Sequence, residues 1–188
     1  MRPLRSDAAA RRDLILDAAD EVFSESGVTA SLDLVVERAG VGRATLYRNF
    51  PSRVALMEAL LSRYLRSLEQ EAHENRHRDD ALFGLFQRMA LNIAESVSLV
   101  DFWRTVERDN PIIRSARKRV MQVFQTPLER AIAAGLCRPD LSLADILLVS
   151  GMLGASLRGK SPADRKVLAQ RALELLSTGL MAPAARER

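Results

Sequence analysis

The sequence predicts an all-α protein: a small N-terminal head of three helices joined to a larger helical body. Three observations carry this expectation. Apolar residues recur at helical spacing through nearly all of the 188 residues, and no stretch shows convincing strand alternation. The gaps between these runs carry helix punctuation, with Gly27 and Gly40 behind apolar runs and Ser31 and Ser142 ahead of them. One run, between Gly42 and Pro51, is too short to exist for packing alone, which sets off residues 1–53 from residues 54–181.

Taken in order, Leu14, Ile15, Ala18, Ala19, Val22 and Phe23 form one face of a first helix, ended by Gly27 as a left-handed cap. Ser31 N-caps a second helix whose inner face is Leu32, Val35, Val36 and Ala39. Gly40 permits the sharp turn into a third helix over about 43–49. Pro51 and Ser52 open a long fourth helix with a stripe of Leu56, Leu60, Leu61, Tyr64, Leu65 and Leu68. Apolar residues nearly vanish over 71–80, which reads as a helix end and loop. Further helices are expected at about 81–97, 101–108, 112–134, 142–158 and 163–180, with Asn110 and Pro111 at one boundary and Pro127 bending the long helix. Residues 135–140 read as a connecting loop and 182–188 as a disordered tail.

Composition narrows the class. A chain 47% hydrophobic and 28% charged is a soluble globular one. No apolar run reaches the roughly 18–20 residues that span a bilayer, so no membrane association is expected. The basic leader holding Arg2 and Arg5 lacks the apolar core of a signal peptide and reads as a disordered segment. The single cysteine, Cys137, excludes an internal disulfide framework and fits the cytoplasm. A net charge of +4 permits nucleic-acid binding without demanding it.

Placement says more than the total. Residues 1–53 hold eight arginines and eight acids, so the head is electrically neutral. Its acids precede position 38, however, and Arg43, Arg48 and Arg53 follow with no carboxylate between them. The third helix turns Arg43, Thr45, Tyr47, Arg48 and Asn49 outward, all hydrogen-bond donors, while Val41, Leu46 and Phe50 anchor it from beneath. Donors outward and apolar pins inward are what reading a major groove requires.

These residues carry a family resemblance. Ile15-Leu16-x-Ala18-Ala19 with Phe23 and Gly27, then Ala39-Gly40-Val41, then Thr45-Leu46-Tyr47-x-x-Phe50-x-Ser52-Arg53-x-x-Leu56 resemble the TetR family of bacterial transcriptional regulators over the first third of the chain. The resemblance implies that the first three helices bind operator DNA and that the later ones form a ligand pocket and a dimer interface. It implies that Ser31 sets a helix N-terminus against a phosphate. Gly42, Arg43 and Thr45 would lie at the groove, with Arg43 suited to a guanine. Tyr47 and Arg53 would bind phosphates, and Arg48 and Asn49 would sit near the backbone or groove edge. The chain departs from the family pattern at Asn49, where His is frequent, at Arg53, where Lys is commoner, and at Val36, where a small Ala usually stands; Val36 implies a slightly wider helix angle.

A competing motif is His73-Glu74-Asn75-Arg76-His77, which satisfies the H-E-x-x-H pattern of zinc peptidases, with Glu95 downstream as a tempting third ligand. The segment is polar on every side and lies near a helix end, so nothing holds ligands rigid or dries a site. Neither a metal site nor a cofactor is expected, and no other catalytic constellation occurs. The alternatives to a ligand-responsive regulator are thus a zinc-dependent hydrolase using His73, Glu74 and His77, or a helical interaction protein that does not bind DNA.

In the body, large adaptable side chains cluster, and Phe86, Met89, Trp103, Met121 and Phe124 are the candidate lining of a pocket for an unknown small-molecule effector. Gln87, Asn92, Glu107 and Gln125 would orient a ligand if they face inward, and Arg114, Arg117, Lys118 and Arg119 read as a solvated face. The helices at about 142–180 are rich in Leu and Val, with Gly151, Gly154 and Ala155 allowing close approach, and are the expected four-helix homodimer interface. A dimer presents two reading helices to half-sites along one face of the DNA.

Overall fold

The computed structural model describes residues 4–96, 99, 102, 110–157 and 161–181. Among them run eight named helices: α1 (Leu4–Ser26), α2 (Leu32–Ala39), α3 (Arg43–Asn49), α4 (Arg53–Glu74), α5 (Ala81–Glu95), α6 (Pro111–Ala133), α7 (Leu143–Ser156) and α8 (Pro162–Leu180). The sole strand-like pairing among the described residues is an isolated bridge between Cys137 and Met181, which pins the loop after α6 to the end of α8. Trp103, Glu107, the helix expected at 101–108 and the tail at 182–188 lie outside the described residues.

Local chemistry explains the boundaries. Gly27 and Gly40 take left-handed φ values of 81° and 62°. At Gly40 the chain closes a Schellman turn, Gly40 N–H donating to Glu37 O at 3.1 Å and Val41 N–H to Val36 O at 3.2 Å. That turn swings α3 across α2. Ser31, Ser52, Asn110 and Ser161 each accept a backbone N–H at the start of a helix. Ser142 and Asp145 form a reciprocal capping box, which is why α7 starts at Leu143 and not at Ser142. Pro127 sits inside α6, and the helix continues beyond it to Ala133.

The core is continuous from head to body. In the head it gathers Ile15, Ala19, Val22 and Phe23 of α1 with Val35 of α2, Leu46 of α3 and Phe50; in α4 it continues through Leu56, Leu60, Leu61, Leu65 and Leu68. Tyr64, expected in that stripe, is only half-buried. α5 is the central element of the body and packs on α4, α6, α7 and α8. Each fully buried Leu or Phe contributes roughly 1.5–3 kcal/mol, so α4 is a shared wall of both units and not a linker.

Candidate nucleic-acid interface

α3 has seven residues, too few to be stable alone, and it is held by three devices. Leu46 is fully buried beneath it and Phe50 closes its end. Arg12 of α1 lies over the Phe50 ring at 4.2 Å and donates to Asn49 O at 3.2 Å, so a cation meets the negative end of the α3 dipole. Arg38, at the end of α2, donates to Glu21 at 2.8 Å and to Glu25 at 2.9 Å, locking α2 to α1. Those acids hold the guanidinium's pKa above its usual range, and Arg38 in turn lowers that of Glu25.

The outward face of α3 is open. Arg43, Tyr47 and Arg48 are exposed, with Tyr47 at 48%. Gly42, the exposed N-cap residue, has extended backbone and no side chain to block approach. Thr45 is half-buried and its Oγ1 accepts from Arg48 at 3.4 Å. Ser31 is exposed at the start of α2, where its Oγ accepts from Asp33 N–H at 3.2 Å and its hydroxyl proton stays available for donation.

Three predicted contact residues are engaged elsewhere in the free chain. Arg43 is ion-paired with Asp33 of α2. Asn49 is half-buried and its amide donates back to Thr45 O at 2.8 Å, so it is turned along its own helix rather than toward a groove edge. Arg53 differs most from the expectation. Its two terminal nitrogens donate to Val28 O at 2.6 Å and Ala30 O at 2.5 Å, and its guanidinium lies 5.3 Å from the Phe23 ring centroid. It is half-buried and fastens the α1–α2 loop, because those carbonyls have no helical partner there. Arg12, Asp33 and Arg38 were not singled out by sequence reasoning; their partners lie 10 to 37 residues away, beyond any local pattern.

On its other side the head is tied to the body by a polar node. Asp20 of α1 accepts Ser96 Oγ–H at 2.6 Å and Arg63 at 3.4 Å, and Arg63 also pairs with Asp17. Burial raises the Asp20 pKa above its ordinary 3.8, opposed by the Ser96 hydrogen bond and the Arg63 charge.

In the body, Phe86, Met89 and Phe124 are buried in the core, with the Phe86 and Phe124 rings 5.4 Å apart, and Met121 is half-buried. Gln87 and Gln125 are exposed and so do not face inward; Asn92 is half-buried and donates to Ser67 at 2.6 Å. α7 is apolar on every side: Ile146, Val149 and Leu153 face the core while Leu148 and Met152 remain exposed. Val167 and Leu175 of α8 are likewise bare, at 70% and 62%. The H-E-x-x-H segment is divided by the end of α4. His73 and Glu74 are helical, Asn75 is the C-cap and His77 lies in the turn beyond, so the two imidazoles do not share a helical face. Among the described residues no group of three or more His, Cys, Asp or Glu is placed to hold a metal ion. Cys137 is buried, which pushes its thiol pKa up and away from nucleophilic use. No helix among the described residues is long and apolar enough to cross a membrane.

Comparison with known proteins agrees with this geometry. Residues 15–60 match the model for bacterial regulatory proteins of the tetR family, and residues 77–182 match that for the C-terminal domain of SbtR-like transcriptional regulators. The chain is 26% identical over 145 residues to the HTH-type transcriptional regulator YhgD of Bacillus subtilis, covering 69% of this chain and 73% of that one. The TetR transcriptional regulator SCO0520 of Streptomyces coelicolor is 30% identical, with a TM-score of 0.68 over 92% of this chain and 99% of the other. The fold is also that of CprB from Streptomyces coelicolor, solved in complex with its operator sequence, at 21% identity and a TM-score of 0.67 over 96% and 93% of the two chains. With one match over the head and another spanning more than half of its length, this chain belongs to the tetR family of transcriptional regulators, which bind operator DNA as dimers.

Proposed function

We propose that the protein is a homodimeric, ligand-responsive repressor that reads its operator with α3. The observation that carries this reading is the division of α3 into a buried Leu46 beneath and exposed Arg43, Tyr47 and Arg48 above, since nothing in packing calls for those three. In the complex Arg43 reads a guanine from the major groove, with Thr45 beside it and Gly42 letting the backbone approach. Tyr47, Arg48 and the Ser31 hydroxyl bind phosphates, positioning the helix without reading sequence. Arg53 and Asn49 act by positioning: Arg53 by fastening the α1–α2 loop, Asn49 by bracing the end of α3.

Residues 1–53 are the reading head and 54–181 the effector and dimerisation body, with α4 belonging to both cores. The bare row of Leu148, Met152, Val167 and Leu175 supports dimerisation through α7 and α8, since a helix apolar all round needs cover on a second side. A small-molecule effector bound near Phe86, Met89, Met121 and Phe124 releases the operator only through its greater affinity for the arrangement of heads that does not fit DNA. The protein acts in the cytoplasm.

The test is a titration of the purified protein against DNA from upstream of its own gene at several salt concentrations, with Arg43→Ala and Tyr47→Phe beside it. Tyr47→Phe should weaken all sequences alike, whereas Arg43→Ala should also relax discrimination at one base pair. Equal, weak binding by all three proteins with no preference over random DNA overturns the reading.

A further inference from the structure

One of the contacts that hold α3 stands at its C-terminal end and reaches across from α1. Arg12 Nη1 donates to Asn49 O at 3.2 Å, and the guanidinium lies over the Phe50 ring at 4.2 Å. Phe50 is only 1% exposed, so this cation forms the outer cover of a ring that otherwise belongs to the core. The other groups at the end of α3 are satisfied locally. Phe50 N–H donates to Leu46 O at 2.8 Å and the Asn49 amide to Thr45 O at 2.8 Å. Among the described residues, Arg12 is thus the one side chain of another helix that hydrogen-bonds this end.

Nothing else claims the Arg12 charge. Among the described residues Asn49 O is its one hydrogen-bond acceptor and no carboxylate pairs with it. The residue is exposed and precedes residues 15–60, the span that matches the tetR-family model, so that match assigns it no role. At the opposite end of α3 the pair between Arg43 and Asp33 has to open before Arg43 can reach a base. The end at Asn49 is therefore the fixed one. Arg43 stands about 9 Å along the helix from Asn49, and a tilt of about 10° about that end displaces it by roughly 1.5 Å. A directed polar contact tolerates only about 0.5 Å.

We propose that Arg12 is a positioning residue for base reading: by clasping Asn49 O and Phe50 it fixes the tilt of α3, and with it the discrimination between DNA sequences, without itself touching DNA. This role rests on the reading of α3 as the helix that enters the groove.

Anisotropy titrations of the full chain on two duplexes test it, the DNA upstream of its own gene and a random sequence of equal length, each at several salt concentrations. Arg12→Ala should raise the upstream-DNA Kd about three- to tenfold and the random-DNA Kd by less than about twofold, so that the preference narrows. Its dependence on salt should match the parent's, because no phosphate contact is lost. Arg12→Lys keeps a cation and a donor at the helix end and should recover most of the preference. Thermal melts show that both variants are folded at the assay temperature, as expected for changes at an exposed position. An unaltered preference in folded Arg12→Ala overturns the proposal. So does a salt slope smaller by about 0.9 with both duplexes weakened alike, the mark of a phosphate ligand. Arg12→Lys no better than Arg12→Ala overturns it as well. These three results leave the operator reading standing, whereas a parent protein with no preference for the upstream DNA overturns that reading and this role together.

Discussion

Replacing Asp33 by Asn should tighten operator binding, because in the free protein Asp33 holds Arg43, the guanidinium proposed to read a base. The pair is exposed, with side-chain accessibilities of 70% for Arg43 and 53% for Asp33. An ion pair so solvated is worth only about 0.2–1 kcal/mol, so releasing Arg43 gives about 1.4- to 5-fold in affinity. Removing a negative charge within a Debye length of the phosphates, about 8 Å at physiological salt, adds a smaller gain that high salt erases. The fold pays slightly, since Asp33 sits in the first turn of α2 and loses about 0.3–1 kcal/mol of favourable interaction with the helix dipole.

The measurement is fluorescence anisotropy on a labelled operator duplex at two salt concentrations, for the parent, Asp33→Asn, Arg43→Ala and the double variant. Arg43→Ala alone should cost about 1–3 kcal/mol, the value of a bidentate guanine contact. In the double variant the benefit of Asp33→Asn should shrink to its salt-sensitive part. The same gain with and without Arg43 would show that Asp33 acts only through its field. No gain at all would refute the competition between Asp33 and DNA for Arg43.

Three other perturbations have defined outcomes. Asp20 has a raised pKa, so ionising it opposes folding. Relative to Asp20→Asn, the parent should be most stable at acid pH and lose that advantage as pH rises from 3.8 through the raised value, read as the difference in melting temperature across a pH series; a pH-independent difference contradicts it. Ser142→Ala should cost about 0.5–2 kcal/mol by removing the α7 capping box. Ser142 holds the Asp145 pKa down, so this contribution exists above the unfolded pKa and fades as pH falls through the lowered one, which denaturant melts at two pH values can check. Leu148→Glu together with Val167→Glu should convert dimer to monomer in sedimentation without unfolding the chain, since both side chains are bare in the protomer.

The helices were legible because their signals are local. Leu46 and Phe50, spaced to lie under α3, are both buried, and Gly27 and Gly40 each take the left-handed conformation expected of a helix end. Side-chain partners were not legible to the same degree. The family resemblance implies that Arg53 is a phosphate ligand, yet in the free chain it is held by carbonyls 23 and 25 residues earlier. Asn49 looks like an outward donor, but an i−4 carbonyl in its own helix was available to it. Long polar side chains go wherever tertiary structure leaves an unpaired acceptor, and no periodicity encodes that. The H-E-x-x-H pattern is interrupted by a local feature, the helix end at Asn75 between its two histidines.

How the body can govern the head follows from the connections around Asp20. α4 reaches α1 through Arg63, which is shared between Asp17 and Asp20, while α5 reaches the same Asp20 through Ser96. The neighbouring residue extends the chain of contacts: Glu95 accepts Ser24 Oγ–H of α1 on its backbone carbonyl at 3.3 Å and pairs with Lys166 of α8 at 3.1 Å. Two elements of the body thus hold one carboxylate of the head, and a slide of α5 along α4 must lengthen one of the two contacts. A hydrogen bond to a charged group is worth about 1.5–3 kcal/mol, and allosteric coupling between sites is commonly about 1–3 kcal/mol. Breaking a single contact at Asp20 is therefore enough to match a regulatory response, provided that the effector favours the arrangement in which it is broken. The apolar core of α1 and α4 need not come apart for the head to turn.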